Sequence, residues 1–519
     1  MILLVLLAVG ARLRLLAMPL ERDEGEFAYM GQLMLQGIPP YQLAFNIKMP
    51  GIYAAYALIM ALFGQNASGI HLGFLFINLG NLALLYFLAR RLLDEAGILI
   101  CCSTFILLSS SSAVLGLEGH ATNLVILCAL GGLLLLLRAR EQKGVGLFYL
   151  SGLLLGLSFL CKQPGLFFAF FAYALLAADG WKQGLAQWRL IFRNVLLFSA
   201  GWITPLAASC LILWRAGTFA RFWFWTVTYA RVHAGMLPLA FVRHRLVEIF
   251  TYGFDPWLFF IGLAGWLWLL CRKGEGEKKF FFTGFLASSA AACLVGRYMA
   301  RHYFVLMLPA ISLLVGWAVS NGAALLARTR QPLWRFAPGA VFVGLCAGLA
   351  RHNAPVWFEM PPDVACSDIY FDCAFVECAE VARYIREHSD PRDRIAVIGS
   401  EPEIYFYAQR HSVSGYIYMY DLVEPQPYAR AMQEEFIHDV ETGHPAYLVL
   451  VNLDSSWMSW AAGDHTLFNW IRQYSSSYEL VGVAEIYPSH TEYRWGKEAM
   501  AEKPKTLSAI FTFKRKGPG

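Results

Sequence analysis

Three carboxylates, Asp23, Glu24 and Glu26, lie within four positions of the chain, directly after the first apolar segment. Carboxylates at the edge of an apolar segment are costly unless they face water or take part in a reaction. Lys48 follows a short predicted helix and precedes another apolar segment, so a cation and the carboxylates are expected at one membrane edge. A carboxylate beside a cation stays ionised and can accept a proton from a hydroxyl group. The stretch Arg22–Gly51 is therefore the candidate catalytic centre.

The same spacing also has a structural interpretation. Asp23 and Glu26 are three residues apart, as the two members of a capping box are, and acidic side chains stabilise a helix N-terminus. Capping would explain these two residues, but it leaves Glu24 and Lys48 unexplained. The combination favours a functional cluster, in which we expect Glu26 to cap the helix.

The composition places these residues in a membrane protein. Of the 519 residues, 57% are hydrophobic and 15% are charged, and the mean hydropathy is +0.48. Soluble globular proteins do not have this composition, whereas repeated apolar stretches of bilayer length predict a polytopic α-helical membrane protein. The net charge of +5 is small and dispersed along the chain, which argues against a nucleic-acid partner.

We predict about 11 membrane-spanning helices. The apolar segment Gly51–Phe63 is not counted, because its thirteen residues reach only about 20 Å as a helix and the hydrocarbon core is about 30 Å thick. Residues 1–18 lack a basic n-region and a small-residue cleavage site, so they are counted as a span, and the natural start is expected upstream of Met1. The predicted spans are residues 1–18, 69–89, 97–116, 121–137, 146–161, 164–178, 194–214, 256–271, 280–296, 302–320 and 336–350.

These spans predict the topology. The clustered lysines and arginines of the connecting loops fall on one side, which the positive-inside rule assigns to the cytoplasm. The acidic cluster then lies on the opposite side, in an outer loop of residues 19–68, and a second outer loop covers residues 215–255. We expect a multi-pass protein of the cytoplasmic (inner) membrane whose active site faces outward.

Basic residues on the outer side are candidates for binding a phosphate. Arginine engages phosphate oxygens through two parallel hydrogen bonds and keeps its charge. Anchoring is the alternative, since arginines and aromatic residues at helix ends also snorkel to the membrane interface. The candidates are Arg297, Arg301 and His302, between two predicted spans, and Arg231 and Arg243 in the second outer loop.

Three further residues on the outer side are possible substrate contacts. Glu118 and His120 lie in a short turn between two predicted spans, and Lys162 precedes Pro164 at the end of another. Local capping or solvation is the alternative for the turn, and anchoring at the interface is the alternative for the lysine.

The sequence becomes more polar after His352. RIAVIG (394–399), AYLVLVN (446–452) and IFTFKR (510–515) predict strands, and helical patterns near 376–388, 428–441 and 464–474 alternate with them. We expect an extracytoplasmic α/β domain over residues 351–519 that handles the acceptor or covers the site. Its cysteines outside apolar segments, Cys366, Cys373 and Cys378, form either one disulfide with a leftover thiol or three thiols.

Three motifs resemble the GT-C glycosyltransferases: the DEGEFAY cluster, the KMPG segment that parallels a Lys-Pro-Pro element, and RYMARHYFVLMLPAISLL. The protein O-mannosyltransferase and aminoarabinose lipid A transferase group (glycosyltransferase families 39 and 83) is the most similar. The resemblance covers about residues 1–350 and implies a GT-C-like transmembrane catalytic domain with a polyprenyl-phosphate sugar donor. It places the family's catalytic aspartate on Asp23. Met49, where relatives often carry a second proline, departs from the pattern next to Lys48.

A lipid-phosphate sugar carries its own leaving group, so the enzyme must supply a base for the acceptor hydroxyl and cations for the departing phosphate. We expect Asp23 to be the base, Glu24 to orient it and Lys48 to keep it ionised. Direct displacement inverts the anomeric carbon and needs no second carboxylic acid. The acceptor is a hydroxyl group of a protein, a lipid or a glycan. No cofactor is required, and a divalent metal at the acidic pair is left open.

A different class of function, a transporter or flippase-like carrier of lipid-linked sugar, would also need many spans and basic surfaces. Carriers place ionisable groups or broken helices near the membrane midplane. In this sequence the charged residues collect at the outer ends of the predicted spans. This distribution favours an enzyme that works at the membrane surface.

Overall fold

The computed structural model describes residues 1–142, 144–183, 187–236, 239–248, 256–328, 331–457 and 464–516. Residues 237–238 and 249–255 of the predicted second outer loop lie outside the described residues. The chain has a helical membrane part followed by a smaller C-terminal part with one mixed β-sheet. The predicted fold class, a polytopic helical membrane protein with a C-terminal α/β domain, is confirmed.

The helices of the membrane part are α1 (Ile2–Arg14), α2 (Arg22–Leu35), α3 (Pro50–Phe63), α4 (Ala67–Leu92), α5 (Glu95–Leu108), α6 (Ala121–Gln142), α7 (Val145–Cys161), α8 (Leu166–Gln183), α9 (Trp188–Arg215), α10 (Phe219–Trp223), α11 (Ala230–Met236), α12 (Leu239–Glu248), α13 (Trp257–Cys271), α14 (Gly276–Leu294), α15 (Leu308–Leu326) and α16 (Ala337–Ala354).

Six helical segments within the described ranges are long and apolar enough to cross a bilayer: 67–92, 121–142, 163–181, 188–215, 301–326 and 333–359. Four shorter apolar helices, α3, α5, α7 and α13, accompany them. The chain is therefore a multi-pass membrane protein, while the number of eleven spans stays a prediction. The segment Gly51–Phe63, which was not counted as a span, forms helix α3 together with Pro50.

The predicted span 97–116 is helical only as far as Leu108. Four consecutive serines follow, and serine hydroxyls compete with the helical hydrogen bonds of the backbone. The chain then turns, and the Arg12 guanidinium donates hydrogen bonds to the carbonyls of Ser109 (2.7 Å) and Gly116 (2.6 Å). These bonds satisfy buried carbonyl groups of a turn that leads to the start of α6.

Helix α2 begins two residues earlier than its acidic spacing predicted. Glu21 is the N-cap residue: its side chain accepts from the Glu24 backbone N–H at 2.9 Å, and the Glu24 side chain accepts from the Glu21 N–H at 3.2 Å. The structural alternative, a capping box of Asp23 and Glu26, is therefore not present, and the expectation that Glu26 caps the helix was wrong, because another acidic pair with the same spacing occupies the helix end. Asp23 and Glu26 are therefore available for other contacts.

The C-terminal helices are α17 (Pro362–Ile369), α18 (Phe375–His388), α19 (Glu403–Ala408), α20 (Tyr420–Val423), α21 (Ala429–Gly443), α22 (Asp454–Trp457), α23 (Thr466–Tyr474) and α24 (Lys497–Ala501). The strands are β1 (Arg394–Ile398), β2 (His411–Ser412), β3 (Tyr447–Asn452), β4 (Tyr478–Ile486), β5 (Thr491–Trp495) and β6 (Ala509–Arg515). Their order in the sheet is β2-β1-β3-β6-β4-β5.

Strand β1 pairs in parallel with β2 and β3, whereas β6 is antiparallel to β3 and β4, and β4 is antiparallel to β5. The predicted strands correspond to β1, β3 and β6, and the predicted helices to α18, α21 and α23. Strands β4 and β5 were not predicted. In β4 the alternation of apolar residues is interrupted at two places. Glu485 is buried and pairs with Arg494, and the strand register shifts beside Gly482.

The C-terminal part packs directly on helix α2. The Tyr29 hydroxyl accepts a hydrogen bond from the Ser412 backbone N–H (2.8 Å), and the Tyr29 ring stacks on Tyr405. A Cβ atom on Gly25 would lie only 2.5 Å from the Cβ of Glu403, so this contact requires glycine. Helix α2 is thus held between the membrane helix α3 on one side and α19 on the other.

The three cysteines of this part, Cys366, Cys373 and Cys378, are free thiols. The alternative with one disulfide among them is not what the structure contains. Cys366 and Cys378 are buried in the core of the C-terminal part, where cysteine packs as a small apolar side chain.

Candidate active site

Lys48 joins two of the three carboxylates identified in the sequence. Its Nζ lies 2.7 Å from Asp23 Oδ1 and 2.8 Å from Glu26 Oε2. The backbone positions this lysine, because the Tyr41 hydroxyl donates to the Lys48 carbonyl at 2.7 Å and Pro50 starts α3 directly afterwards. Glu26 is fully buried and accepts a further hydrogen bond from the Tyr53 hydroxyl at 2.7 Å, whereas the Asp23 side chain is 22% exposed.

The charges in this group decide which carboxylate is ionised. Burial opposes ionisation of Asp23, but the positive charge of Lys48 outweighs it and lowers the pKa of the Asp23 carboxyl to about 2. Burial raises the pKa of Glu26 above its usual value despite the same lysine. The two carboxylates in turn raise the pKa of Lys48 against the effect of burial. Asp23 is therefore ionised at neutral pH and reachable from solvent.

Glu24 faces away from this ion pair. Its Oε1 accepts from the Gly119 backbone N–H and lies 3.1 Å from His71 Nε2, and its other oxygen closes the capping box. Burial acts against its ionisation, yet His71 and the backbone contact lower the pKa of Glu24 below its usual value. Glu24 thus ties α2 to α4 and to the turn before α6. No contact between its side chain and Asp23 occurs among the described hydrogen bonds.

Two histidines stack beside Asp23. The rings of His120 and His302 have centroids 4.0 Å apart and are nearly parallel, and His302 Nε2 lies 3.9 Å from Asp23 Oδ2. Lys162 Nζ lies 3.3 Å from the same His302 nitrogen and 4.0 Å from the centroid of the Tyr303 ring. Burial lowers the pKa of Lys162 to about 7 and that of His120 to about 4. A negatively charged ligand nearby would favour the protonated form of the lysine.

Glu118 is the most deeply buried of the predicted contacts. It is fully buried, and neither of its carboxylate oxygens has a hydrogen-bond partner among the described residues. Burial raises the pKa of Glu118 to about 7. The Arg301 guanidinium is among the charges that act on it, and Arg301 itself donates to the Ile369 carbonyl at 2.9 Å. Glu118 is not among the residues that line the cavity described next.

A cavity of about 610 Å³ opens in front of Asp23. Asp23, Lys48 and His302 line one part of it, and Arg301 and Tyr303 lie beside them. The remaining lining residues come from α2 and the loop after it, the turn before α6, the long loop before α13, the turn after α14 and the C-terminal part: Glu21, Arg22, Asn46, Ile47, Leu115, His233, Phe241, Arg245, Tyr298, Ala300, Tyr370, Tyr418, Tyr420, Asp421 and Glu424. The membrane part and the C-terminal part therefore share this cavity.

The structure brings some of the predicted phosphate-binding residues to the cavity and leaves others elsewhere. Arg301 and His302 line it. Arg297 lies in a turn with left-handed backbone conformation (φ 57°) and is not part of the lining. Arg231 and Arg243 have exposed side chains on α11 and α12, outside the lining. Their proposed contact with a phosphate stays a prediction.

Arg22, next to Asp23, was not predicted as a site residue. Its Nη2 lies 2.9 Å from Glu401 Oε1, its Nε donates to the Ser400 carbonyl at 2.5 Å, and its guanidinium lies over the Tyr420 ring. All of these partners belong to the C-terminal part. Tyr418 from the same part donates to the Arg22 carbonyl (3.1 Å) and lies 3.4 Å from Asp23 Oδ1. The C-terminal part thus fixes the backbone that carries Asp23.

One arrangement at the site could hold a metal ion. Ligand atoms of Asp23, His120 and His302 lie within 4.8 Å of one another, and both ring nitrogens of His120 lack a hydrogen-bond partner among the described residues. Imidazole and carboxylate groups suit Zn²⁺ or Mn²⁺. This differs from the pair considered in the sequence, since Glu24 points to Gly119 and His71 instead.

Comparison with known proteins gives one match in sequence and several in structure. Residues 48–207 match the family model for dolichyl-phosphate-mannose-protein mannosyltransferase. The match begins at Lys48 and extends into α9. No curated protein sequence matches the chain significantly.

Solved structures share the fold at low sequence identity. ArnT from Cupriavidus metallidurans bound to undecaprenyl phosphate has a TM-score of 0.58 at 15% identity, covering 87% of this chain and 92% of that one. The apo state of ArnT has a TM-score of 0.57 at 12% identity, over 98% and 97% of the two chains. The oligosaccharyltransferase AglB from Archaeoglobus fulgidus, in complex with an inhibitory peptide and a dolichol-phosphate, has a TM-score of 0.54 at 14% identity, over 95% and 74%.

Proposed function

We propose that this chain, a member of the GT-C superfamily related to the mannosyltransferases and ArnT, is an inverting glycosyltransferase. It would move a sugar from a polyprenyl-phosphate-linked donor to a hydroxyl acceptor at the outer face of the cytoplasmic membrane. The observation that carries the proposal is an ionised carboxylate, Asp23, at the wall of a 610 Å³ cavity whose lining also contains arginine and histidine side chains.

The cavity has the parts that a displacement at the anomeric carbon needs. In the proposed mechanism, the acceptor hydroxyl binds against Asp23, which accepts its proton as the new bond forms. A carboxyl with a pKa of about 2 is a weak base. We therefore infer that the proton moves late, when the acceptor oxygen has become acidic through bond formation. Lys48 keeps the carboxylate ionised for this step.

The departing phosphate requires positive charge on the other side of the sugar. Arg301 lines the cavity, and Lys162 lies behind His302. A phosphate bound there would be stabilised by charge-assisted hydrogen bonds and would raise the protonated fraction of Lys162. Two solved structures with this fold, ArnT and AglB, hold undecaprenyl phosphate and a dolichol-phosphate, which supports a polyprenyl-phosphate donor here.

The proposal is tested by transfer from a radiolabelled polyprenyl-phosphate hexose in membranes with and without the protein. Label should move into a lipid, protein or glycan fraction only when the protein is present, and the fraction identifies the acceptor class. The anomeric configuration of the product, determined by NMR, should be opposite to that of the donor. No transfer, combined with protection of the donor from an external probe, would instead support the carrier.

Arg301→Ala should raise the KM for the donor about 10-fold or more, because a charged hydrogen bond contributes about 1.5–3 kcal/mol. The KM for the acceptor should change little, since Asp23 and not Arg301 binds the hydroxyl in this proposal. Steady-state kinetics with each substrate varied in turn measures both constants. Arg351→Ala, at an exposed position of α16, is the matched control. An unchanged donor KM in the Arg301 variant would remove this residue from phosphate binding.

A further inference from the structure

We infer that His233, Asp421 and Glu424 form a binding site for one divalent cation at the wall of the cavity. One ligand atom from each residue lies within 4.8 Å of the other two. Bonds of about 2.0–2.2 Å to one ion place ligand atoms about 3–4 Å apart, so a small movement of the side chains closes the site. One imidazole nitrogen and two carboxylates are ligands that suit Mn²⁺ or Zn²⁺.

The three ligands come from two parts of the chain that are far apart in sequence. His233 belongs to α11 in the long loop before α13. Asp421 lies in α20, and Glu424 is the C-cap residue of that helix, so their three-residue spacing directs both carboxylates to the same side. Asp421 is 7% exposed and Glu424 is 1% exposed. A cation here would connect α11 to the C-terminal part.

Neighbouring side chains fix the orientation of the His233 imidazole. The His233 ring stacks on Tyr298, with centroids 4.6 Å apart and an interplanar angle of 10°. Its Nδ1 lies 3.3 Å from Glu424 Oε2. Stacking fixes the plane of the ring, and this plane directs the nitrogen to the carboxylates. In known metal sites, neighbouring side chains orient the ligands in the same way.

Two tyrosines hold the carboxylates without neutralising them. The Tyr229 hydroxyl donates to Asp421 Oδ1 at 3.0 Å, and the Tyr298 hydroxyl donates to Glu424 Oε1 at 3.0 Å. Neutral hydroxyl groups orient carboxylates but bring no positive charge. Two carboxylates buried side by side are costly without further positive charge. A divalent ion would provide it and leave the tyrosine bonds in place around the ligands.

The three ligands also line the 610 Å³ cavity. A cation with three protein ligands keeps at least one coordination position open, and here that position would face the substrate space. The site uses none of the residues around Asp23, so it is a second binding position in the same cavity. The inference concerns metal binding alone and does not depend on the proposed transferase activity.

The experiment uses the full chain in lipid nanodiscs, stripped with EDTA and titrated with Mn²⁺, with bound ion measured by EPR. Since Asp23, His120 and His302 could bind a second ion, the reference protein carries His302→Asn. Adding His233→Asn or Glu424→Gln to this reference should remove one bound equivalent or weaken its binding by at least about 10-fold. His244→Asn, at an exposed position of α12, is the matched control and should bind like the reference.

A spectroscopic measurement tests the metal site even if one variant folds poorly. Electron spin echo modulation of bound Mn²⁺ should show coupling to one imidazole nitrogen in the reference protein, and this coupling should disappear with His233→Asn. Size-exclusion chromatography identifies variants that are not folded, in which case Asp421→Asn replaces them. The inference is overturned if the reference binds no Mn²⁺, or if stoichiometry and affinity are the same in folded His233 and Glu424 variants.

Discussion

Asp23→Asn is expected to lower the rate of sugar transfer by about 10²- to 10⁴-fold, the range that general-base catalysis contributes. Asparagine has nearly the same shape but cannot accept the proton of the acceptor hydroxyl. The protein should remain folded, because Glu26 still lies 2.8 Å from the Lys48 ammonium group and neutralises it. The initial rate of label transfer in membranes containing equal amounts of each protein measures the effect.

The matched control for this prediction is Asp363→Asn, an exposed aspartate in the first turn of α17. It should transfer sugar at the rate of the native protein. Asp23→Glu should keep part of the activity, since the carboxylate is retained but displaced. If Asp23→Asn keeps more than about a tenth of the native rate, Asp23 is not the base and the proposed mechanism fails at its central step.

Lys48→Met is expected to lower both stability and activity. The substitution removes the cation that lies between Asp23 and Glu26 and leaves two neighbouring carboxylates without the ammonium group that pairs with both. Breaking a buried ion pair from one side costs about 3–5 kcal/mol, and the partial exposure of this pair puts the expected loss at the lower end. Thermal unfolding should therefore begin at a lower temperature, and transfer at neutral pH should fall at least about 10-fold.

The pH dependence of the same variant distinguishes a catalytic effect from simple destabilisation. In the native protein Lys48 holds the pKa of Asp23 at about 2, so the carboxylate stays ionised throughout the pH range in which membranes are assayed. Without the cation, burial raises this pKa to or above the ordinary value of about 4, so protonation should reduce the rate as the pH falls from about 6 to 4. In the native protein the transfer rate should not fall through protonation of Asp23 over this pH range, because the carboxylate stays ionised.

Two further variants complete this test. Adding Glu26→Gln to Lys48→Met removes the second carboxylate and should restore part of the lost stability, because only one unpaired charge remains. Lys278→Met replaces a lysine that is 42% exposed and should change neither property. Differential scanning fluorimetry and rate measurements at each pH supply the data. A Lys48→Met enzyme with native stability and a native pH profile would contradict the assigned role of the lysine.

The sequence predicted the parts of the site that are close together in the chain. Asp23 lies in the first turn of a short helix and Lys48 follows that helix, and their types alone indicated an ion pair at a membrane edge. The pairing of Lys48 with Glu26 was missed because the capping-box spacing offered another use for that glutamate. Glu21 carries the same spacing with Glu24 and takes the helix end instead. Spacing alone does not distinguish two overlapping acidic pairs.

Contacts between the two parts of the chain could not be predicted. Arg22 and Glu401 are 379 positions apart, and Tyr418 reaches Asp23 from 395 positions away. Such contacts depend on how the C-terminal sheet packs against α2, which no local pattern specifies. The composition of α2 was the one indication of these contacts. This helix contains Tyr29 and two glycines, and such a helix, when it is buried, packs against a partner on each face. Periodicity did predict the helices and strands with regular apolar patterns, including β1, β3 and α21.

Helix α2 is held between α3 and α19, which are synthesised at very different times. The packing of α2 therefore depends on how much of the chain has been made. The ribosome completes Asp23 and Lys48 early, but the residues that hold Arg22 emerge hundreds of residues later. Until then α2 has an unfinished surface, and the close contact at Gly25 cannot form. A nascent or prematurely terminated chain would therefore insert its membrane helices while the backbone that carries Asp23, the proposed base, is not yet held in place. The protein would become competent only when translation is complete, so that incomplete chains would not consume the proposed lipid-linked donor.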